Sequence, residues 1–149
     1  MPDETDQIII AALMDDARRS LKDLARISGL SSPSVAERLR RLEERDVLTA
    51  YTITVDPAAF GYTLQAVVRV RPLPGRMHAI ERLIQTTPEF TECDKVTGED
   101  CFIARLSVRS MAQMDSILDT LADQAETNTS IVKTTPVKRR LPPLKSAGA

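Results

Sequence analysis

Apolar positions change their period along the chain, and each change marks a new kind of element. In "DQIIIAALMDD", Ile9, Ile10, Leu13 and Ala17 recur at three- and four-residue steps, which predicts an amphipathic helix with Asp6 capping or charging its start. "SLKDLARISGL" predicts a second helix with Ser20 as N-cap, Asp23 at the capping-box position, Leu21, Leu24 and Ala25 inward, and Gly29 as a left-handed stop. In "SSPSVAERLRRLEERD", Ser31 or Ser32 caps, Pro33 suits the first turn, and Val35, Leu39 and Leu42 form one apolar stripe. Two helices joined by a tight turn containing Gly, with a third before them, predict a helix-turn-helix unit. "VLTAYTITVD" then alternates, with Val47, Thr49, Tyr51, Ile53 and Val55 on one side of an expected strand.

Pro57 and Gly61 mark residues 57–62 as a linker or hinge. Beyond it, "LQAVVRVRP", "FTECDKV", "CFIARLSVR" and "NTSIVKTTPVKRR" read as strands. "GRMHAIERLIQTTP" and "SMAQMDSILDTLADQ" read as helices, with Met77, Ile80, Leu83 and Ile84 inward on one and Met114, Ile117, Leu118 and Leu121 on the other. The order strand, helix, strand, strand, helix, strand predicts a ferredoxin-like α+β sandwich with both helices on one face of an antiparallel sheet. Its other face would carry Val67, Arg69, Arg71, Ile103 and Arg105, a mixture apolar enough to predict a dimer surface. The expected organisation is therefore residues 1–56, a DNA-binding type of unit; 57–62, a hinge; 63–140, the sandwich; and 141–149, a tail without pattern.

Composition adds few constraints. A net charge of −1 supplies no global field toward nucleic acid, so any such binding must rest on a local patch. The start "MPDETDQIII" has no basic region followed by a long apolar run, and no window is apolar enough for a membrane span, so a cytoplasmic protein is expected. Cys93 and Cys101 would face Ala104 and Val96 across a hairpin turning near Gly98 and Glu99. They are then not cross-strand partners, and two separate packed thiols are expected. The single histidine, His78, reads as an exposed helix position without a second ligand at metal spacing; no metal and no cofactor are expected.

Off the apolar stripe of the third helix stand Ser32, Ser34, Glu37, Arg38, Arg40, Arg41 and Arg45. On an isolated helix these would be a solvated face with Glu37 and Arg41 paired at four-residue spacing. As the second helix of a helix-turn-helix they face DNA, because small hydroxyl residues allow close approach to base edges and arginines reach phosphate or guanine. Acidic residues outnumber basic ones from Met1 to Asp56, but Asp3, Glu4, Asp6, Asp15 and Asp16 are expected near the first helix, away from that face.

"DQIIIAAL", "LKDLARISGLSSPSVAERLRRLEERDVLTAYTITVDPAAFGY" and "VTGEDCFIARL" together resemble the Lrp/AsnC, or feast/famine, regulators of bacteria and archaea, from about Asp6 to about Val137. The resemblance implies an N-terminal winged helix-turn-helix joined to a ferredoxin-like effector domain, whose partners are double-stranded DNA and a small amino-acid-like effector. It carries DNA contact onto Ser32, Ser34, Glu37, Arg38 and Arg41. Asp46 stands where the family commonly has Gly, and Asp tolerates a left-handed turn. Cys101 stands where many relatives carry Asp, which bears on ligand preference.

Around "VTGEDC", Gly98 lets a ligand approach the backbone, and Glu99 and Asp100 offer carboxylates to an ammonium group. The residues alone favour a hairpin turn chosen for glycine and acidic solubility. The resemblance implies an effector site at this loop, including Cys101, between neighbouring dimers, with hydroxyls corresponding to Thr134 or Thr135. It implies a homodimer, with tetramers or octamers as larger assemblies. Two rivals remain: an architectural nucleoid protein with little sequence preference, and an enzyme using Glu99 and Asp100 as an acid/base pair, which would lack a nucleophile, metal cluster or phosphate loop.

Overall fold

The computed structural model describes residues 1–144 and divides into two compact units. Unit one runs from Met1 to Thr54 and includes the described tail from Arg139 onward; unit two runs from Val55 to Lys138. Residues 145–149 of the expected tail lie outside the described residues.

Unit one is built on three helices: α1 (Glu4–Asp15), α2 (Leu21–Ser28) and α3 (Ser32–Glu44). The start of α1 lies earlier than its apolar period predicts, because Asp3 is the N-cap. Asp3 and Asp6 exchange backbone-to-carboxylate hydrogen bonds of 2.8 and 3.1 Å, a capping box. Ala17 falls beyond the helix and is exposed, and Ala12 takes the inward position. Ser20 caps α2, Gly29 closes it at a φ of 70°, and Ser31 caps α3, as the spacing predicts. Leu21 is exposed, whereas Leu24 and Ala25 pack with Ile9, Ala12, Leu13 and Val35. Leu39 packs on this cluster half-buried, and Leu42 is buried. At the end of α3, Asp46 takes a left-handed φ of 52°.

The expected strand after α3, and with it the wing, does not form: residues 49–56 lie outside any strand or helix. Alternation specifies an extended chain with one apolar side, but a strand also needs a ladder partner, and the described strands all belong to one sheet in unit two. Tyr51 instead donates its hydroxyl to Glu43 at 2.9 Å, and Ile53 is left exposed.

Unit two opens with a 3-10 turn (Pro57–Phe60) capped by Asp56. Gly61, at a φ of 83°, then lies against the Arg109 side chain, whose guanidinium stacks 4.7 Å from the Tyr62 ring centroid. The expected hinge residues are thus fastened to unit two.

The sandwich follows as β1 (Leu64–Pro72), α4 (Met77–Thr86), β2 (Phe90–Lys95), β3 (Phe102–Val108), α5 (Met111–Ala122) and β4 (Ala125–Ile131). The strands are antiparallel in the order β2-β3-β1-β4. Ala66, Val68 and Val70 of β1 and Phe102, Leu106 and Val108 of β3 face the helices and pack with Ile80, Ile84, Met114 and Leu121. The last strand begins and ends earlier than predicted, since "AETNTSI" is polar on both faces and gives no alternating signal.

On the open face the arginines meet carboxylates: Arg69 with Asp100, Arg71 with Glu99 and Glu126, and Arg105 with Glu92, all at 3.8–4.0 Å. The face is an ionic mosaic around Val67 and Ile103, more polar than the alternation of β1 and β3 alone indicates. Register explains the difference, since pairing sets Glu126 opposite Arg71 and Glu92 opposite Arg105.

Candidate nucleic-acid interface and effector loop

The core contacts of Val35, Leu39 and Leu42 orient α3, so residues at three- and four-residue steps from Glu37 form its outward stripe. Glu37, Arg40, Arg41 and Glu44 occupy that stripe and bind one another. Arg40 donates to Glu37 from Nη2 at 2.7 Å and from Nε at 2.9 Å; Arg41 donates from Nε at 3.0 Å; Arg40 also reaches Glu44. These arginines hold the Glu37 carboxyl well below the usual range, at about 2, so it is charged at neutral pH. Arg40 stands among the off-stripe residues read from the sequence but not in the DNA-contact set that the resemblance carries over. Its signal was present in the three- and four-residue spacing to Glu37 and Glu44.

At the start of the helix, Ser34 is exposed and its hydroxyl lies 2.8 Å from that of the cap Ser31, while Ser32 is half-buried. Arg38 is engaged elsewhere. Its Nη1 donates at 2.7 Å both to Asp3 Oδ2 and to Asp6 Oδ1, the two carboxylates of the α1 capping box. The Asp6 side chain is only 12% exposed. Asp3 and Asp6 therefore meet Arg38, one of the residues expected on the DNA face, although the acids of the first helix were expected away from that face. Helical spacing places Arg38 on the flank of α3 beside the apolar stripe, and only the packing of α1 shows what that flank meets.

In unit two the loop between β2 and β3 holds Gly98 at a φ of 107° and Cys101 at 59°. Left-handed backbone suits Gly98 and is unusual for Cys101. Glu99 and Asp100 stand beside Arg71 and Arg69, each at 4.0 Å. Cys93 pairs with Ala104 in register, and the Val96 amide donates to the Cys101 carbonyl at 2.7 Å, so the thiols are not cross-strand partners. Both cysteines are free; Cys93 is exposed, not packed as expected, and Cys101 packs in part against the core. His78 is exposed on α4.

Thr134 and Thr135 are exposed beyond β4. The chain leaves the sheet where the Val132 amide donates to Gln65, whereas the loop adjoins Val70, paired with Phe102. Those points lie five residues apart along β1, about 17 Å at the rise of a strand. The chain therefore leaves the sheet toward Thr134 and Thr135 near one end of β1, and the loop lies near the other. A broad depression of about 1000 Å³ along α4, lined by residues such as Arg82, Thr86 and Lys95, includes none of these six residues.

Residues 3–43 match the AsnC-type helix-turn-helix domain and residues 65–142 the Lrp/AsnC ligand binding domain. The transcriptional regulator LrpA of Mycobacterium tuberculosis is 31% identical over 128 residues, covering 85% of each chain. LrpC of Bacillus subtilis is 28% identical over 130 residues, covering 87% of this chain and 90% of that one. The solved structure of LrpC superposes with a TM-score of 0.86 at 27% identity, covering 92% of this chain and 98% of that one. A feast or famine regulatory protein from M. tuberculosis, complexed with L-methionine, superposes with a TM-score of 0.80 at 30% identity, covering 95% and 98%.

Proposed function

The chain belongs to the Lrp/AsnC family of transcriptional regulators, and from that premise we propose that it binds DNA sequence-specifically and responds to a small amino-acid-like effector. The observation that carries the first half is the outward stripe of α3, where exposed Arg40 and Arg41 flank a half-exposed Glu37 beyond the hydroxyl of Ser34. An architectural protein that reads only phosphate depends on free cations, and these arginines are neutralised by Glu37 and Glu44. That favours base reading over indiscriminate wrapping. Ser32, Ser34, Glu37 and Arg41, joined by Arg40, make up the proposed DNA surface; Arg38 braces α3 against α1.

The methionine complex of the M. tuberculosis relative supports an amino acid as effector. Gly98, Glu99, Asp100 and Cys101 would receive it, and Thr134 and Thr135 would reach it from another copy of the chain, given that the chain leaves the sheet toward them near the other end of β1. The protein is then a homo-oligomer of the cytoplasm, and it is not an enzyme. Glu99 is exposed and Asp100 half-buried, and each lies beside an arginine, as in an ordinary surface ion pair. No helix among the described residues is long and apolar enough to cross a membrane.

Footprinting of the full chain on DNA upstream of its own gene, against a shuffled duplex of equal composition, tests the reading. Protection confined to the natural sequence is expected; equal coverage of both at the same salt would favour the architectural rival.

A further inference from the structure

Four residues of α3, Glu37, Arg40, Arg41 and Glu44, sum to zero charge and are joined in one network. Glu37 is its centre, accepting from both arginines, and Arg40 grips its two oxygens as a fork. The pairs are open to solvent: the side chains are 43% exposed at Glu37, 55% at Arg40 and 65% at Arg41. Exposed ion pairs of this kind exchange partners at little cost, so the arginines can turn to phosphates once the Glu37 carboxylate gains another donor.

A carboxylate in the middle of a DNA-facing stripe repels the backbone unless it meets a donor. In the major groove the donors are exocyclic amines. Cytosine presents its N4 amine as the donor that Glu and Asp accept from, whereas adenine's amine comes with an acceptor that suits Asn or Gln.

We propose that Glu37 is the specificity-determining residue of α3. In the free protein it holds Arg40 and Arg41; on the correct duplex the arginines turn to phosphates while the released carboxylate accepts a hydrogen bond from cytosine N4. On a wrong sequence the carboxylate meets no donor, so it keeps its arginines and the phosphate contacts are not made. The inference rests on the reading of α3 as the DNA-facing helix and adds to it the residue and the base that set discrimination.

The test is selection from a pool of duplexes with a randomised core, using the full-length protein. Affinities for the selected and a shuffled duplex are then measured at several salt concentrations, with thermal melts confirming that each variant folds. The wild type is expected to select a C·G pair at one symmetry-related position in each half-site. Glu37→Gln and Glu37→Ala should each lose that cytosine preference, with discrimination there falling by about 5- to 100-fold. Both should bind the shuffled duplex more tightly, and log affinity should fall more steeply with log salt by about 0.9 for each arginine released to a phosphate.

A cytosine preference retained in both variants overturns the proposal, as does an unchanged affinity and salt slope on the shuffled duplex. Arg41→Ala distinguishes the two ways of failing. If it weakens binding while the Glu37 variants change neither preference nor slope, α3 faces DNA and the role of Glu37 is wrong. If Arg41→Ala and the Glu37 variants all leave binding to both duplexes unchanged, the reading of the helix falls as well.

Discussion

Replacing Arg38 by Ala removes a guanidinium that bonds Asp3 and Asp6 at 2.7 Å each. The two carboxylates differ in their surroundings: the Asp3 side chain is 56% exposed and that of Asp6 only 12%. Solvent screens the link to Asp3, which adds little. The hydrogen bond to Asp6 is charge-assisted, and its loss leaves a nearly buried carboxylate with only its capping bond to the Asp3 amide. Together these make about 2 kcal/mol, below the cost of breaking a fully buried pair because Arg38 itself is partly wetted. In a unit of this size such a loss lowers the melting temperature by about 8–16 °C. Circular dichroism melts of Arg38→Ala, Asp6→Asn and the double variant would measure it. The cycle should show a coupling above about 1 kcal/mol, since each single change breaks the same contact. The salt slope of DNA binding should stay that of the wild type. An unchanged melt together with a slope shallower by about 0.9 would refute the reasoning and return Arg38 to the phosphate backbone, where the sequence alone places it.

The left-handed Asp46 is exposed, so Asp46→Gly should raise stability by about 0.5–1 kcal/mol and Asp46→Val lower it by about 1–2, read from chemical denaturation; equal effects would argue against a left-handed turn. Leu24→Ala, at a fully buried position, should cost about 2–5 kcal/mol, and Leu39→Ala, half-buried, distinctly less in the same melts. Asp3, Asp23 and Glu37 titrate below their unfolded values of 3.8, 3.8 and 4.5, so the stability they contribute is complete above about pH 5 and is lost as pH falls toward 2. Unit one should therefore melt progressively earlier across that window, and Glu37→Gln should flatten the decline. Titration calorimetry with L-methionine and other common amino acids should find one that binds below about 1 mM, with Asp100→Asn abolishing the heat; binding unaffected by that change would move the site away from the loop.

Much of this fold was legible in the sequence because its signals are local. Ser20, Gly29, Ser31 and Asp46 act within a turn of helix, and the inward residues of α4 and α5 follow from their spacing. What could not be read depends on neighbours distant in the chain. Arg38 lies 32 residues from Asp6, so nothing in its own period shows that it faces α1. The open sheet face looked apolar because Glu92 and Glu126 belong to other strands than the residues that define it, and register alone brings them across. Residues 47–55 alternate as a strand should, yet alternation carries no information about a partner. On α3 the spacing already pairs Glu37 with Arg41, but that Arg40 grips both oxygens of Glu37 depends on rotamers that spacing does not fix.

The internal neutralisation of α3 also bears on time. A regulator must pass over a great length of irrelevant DNA before it reaches its target, and the dwell at each stop grows with the number of phosphates it neutralises. A helix that presents free arginines lingers everywhere, whereas one whose arginines are occupied until the right groove arrives releases quickly and samples many places in the same interval. On the proposed reading, the ladder of Glu37, Arg40, Arg41 and Glu44 would shorten each wrong visit, trading grip on random sequence for speed of search.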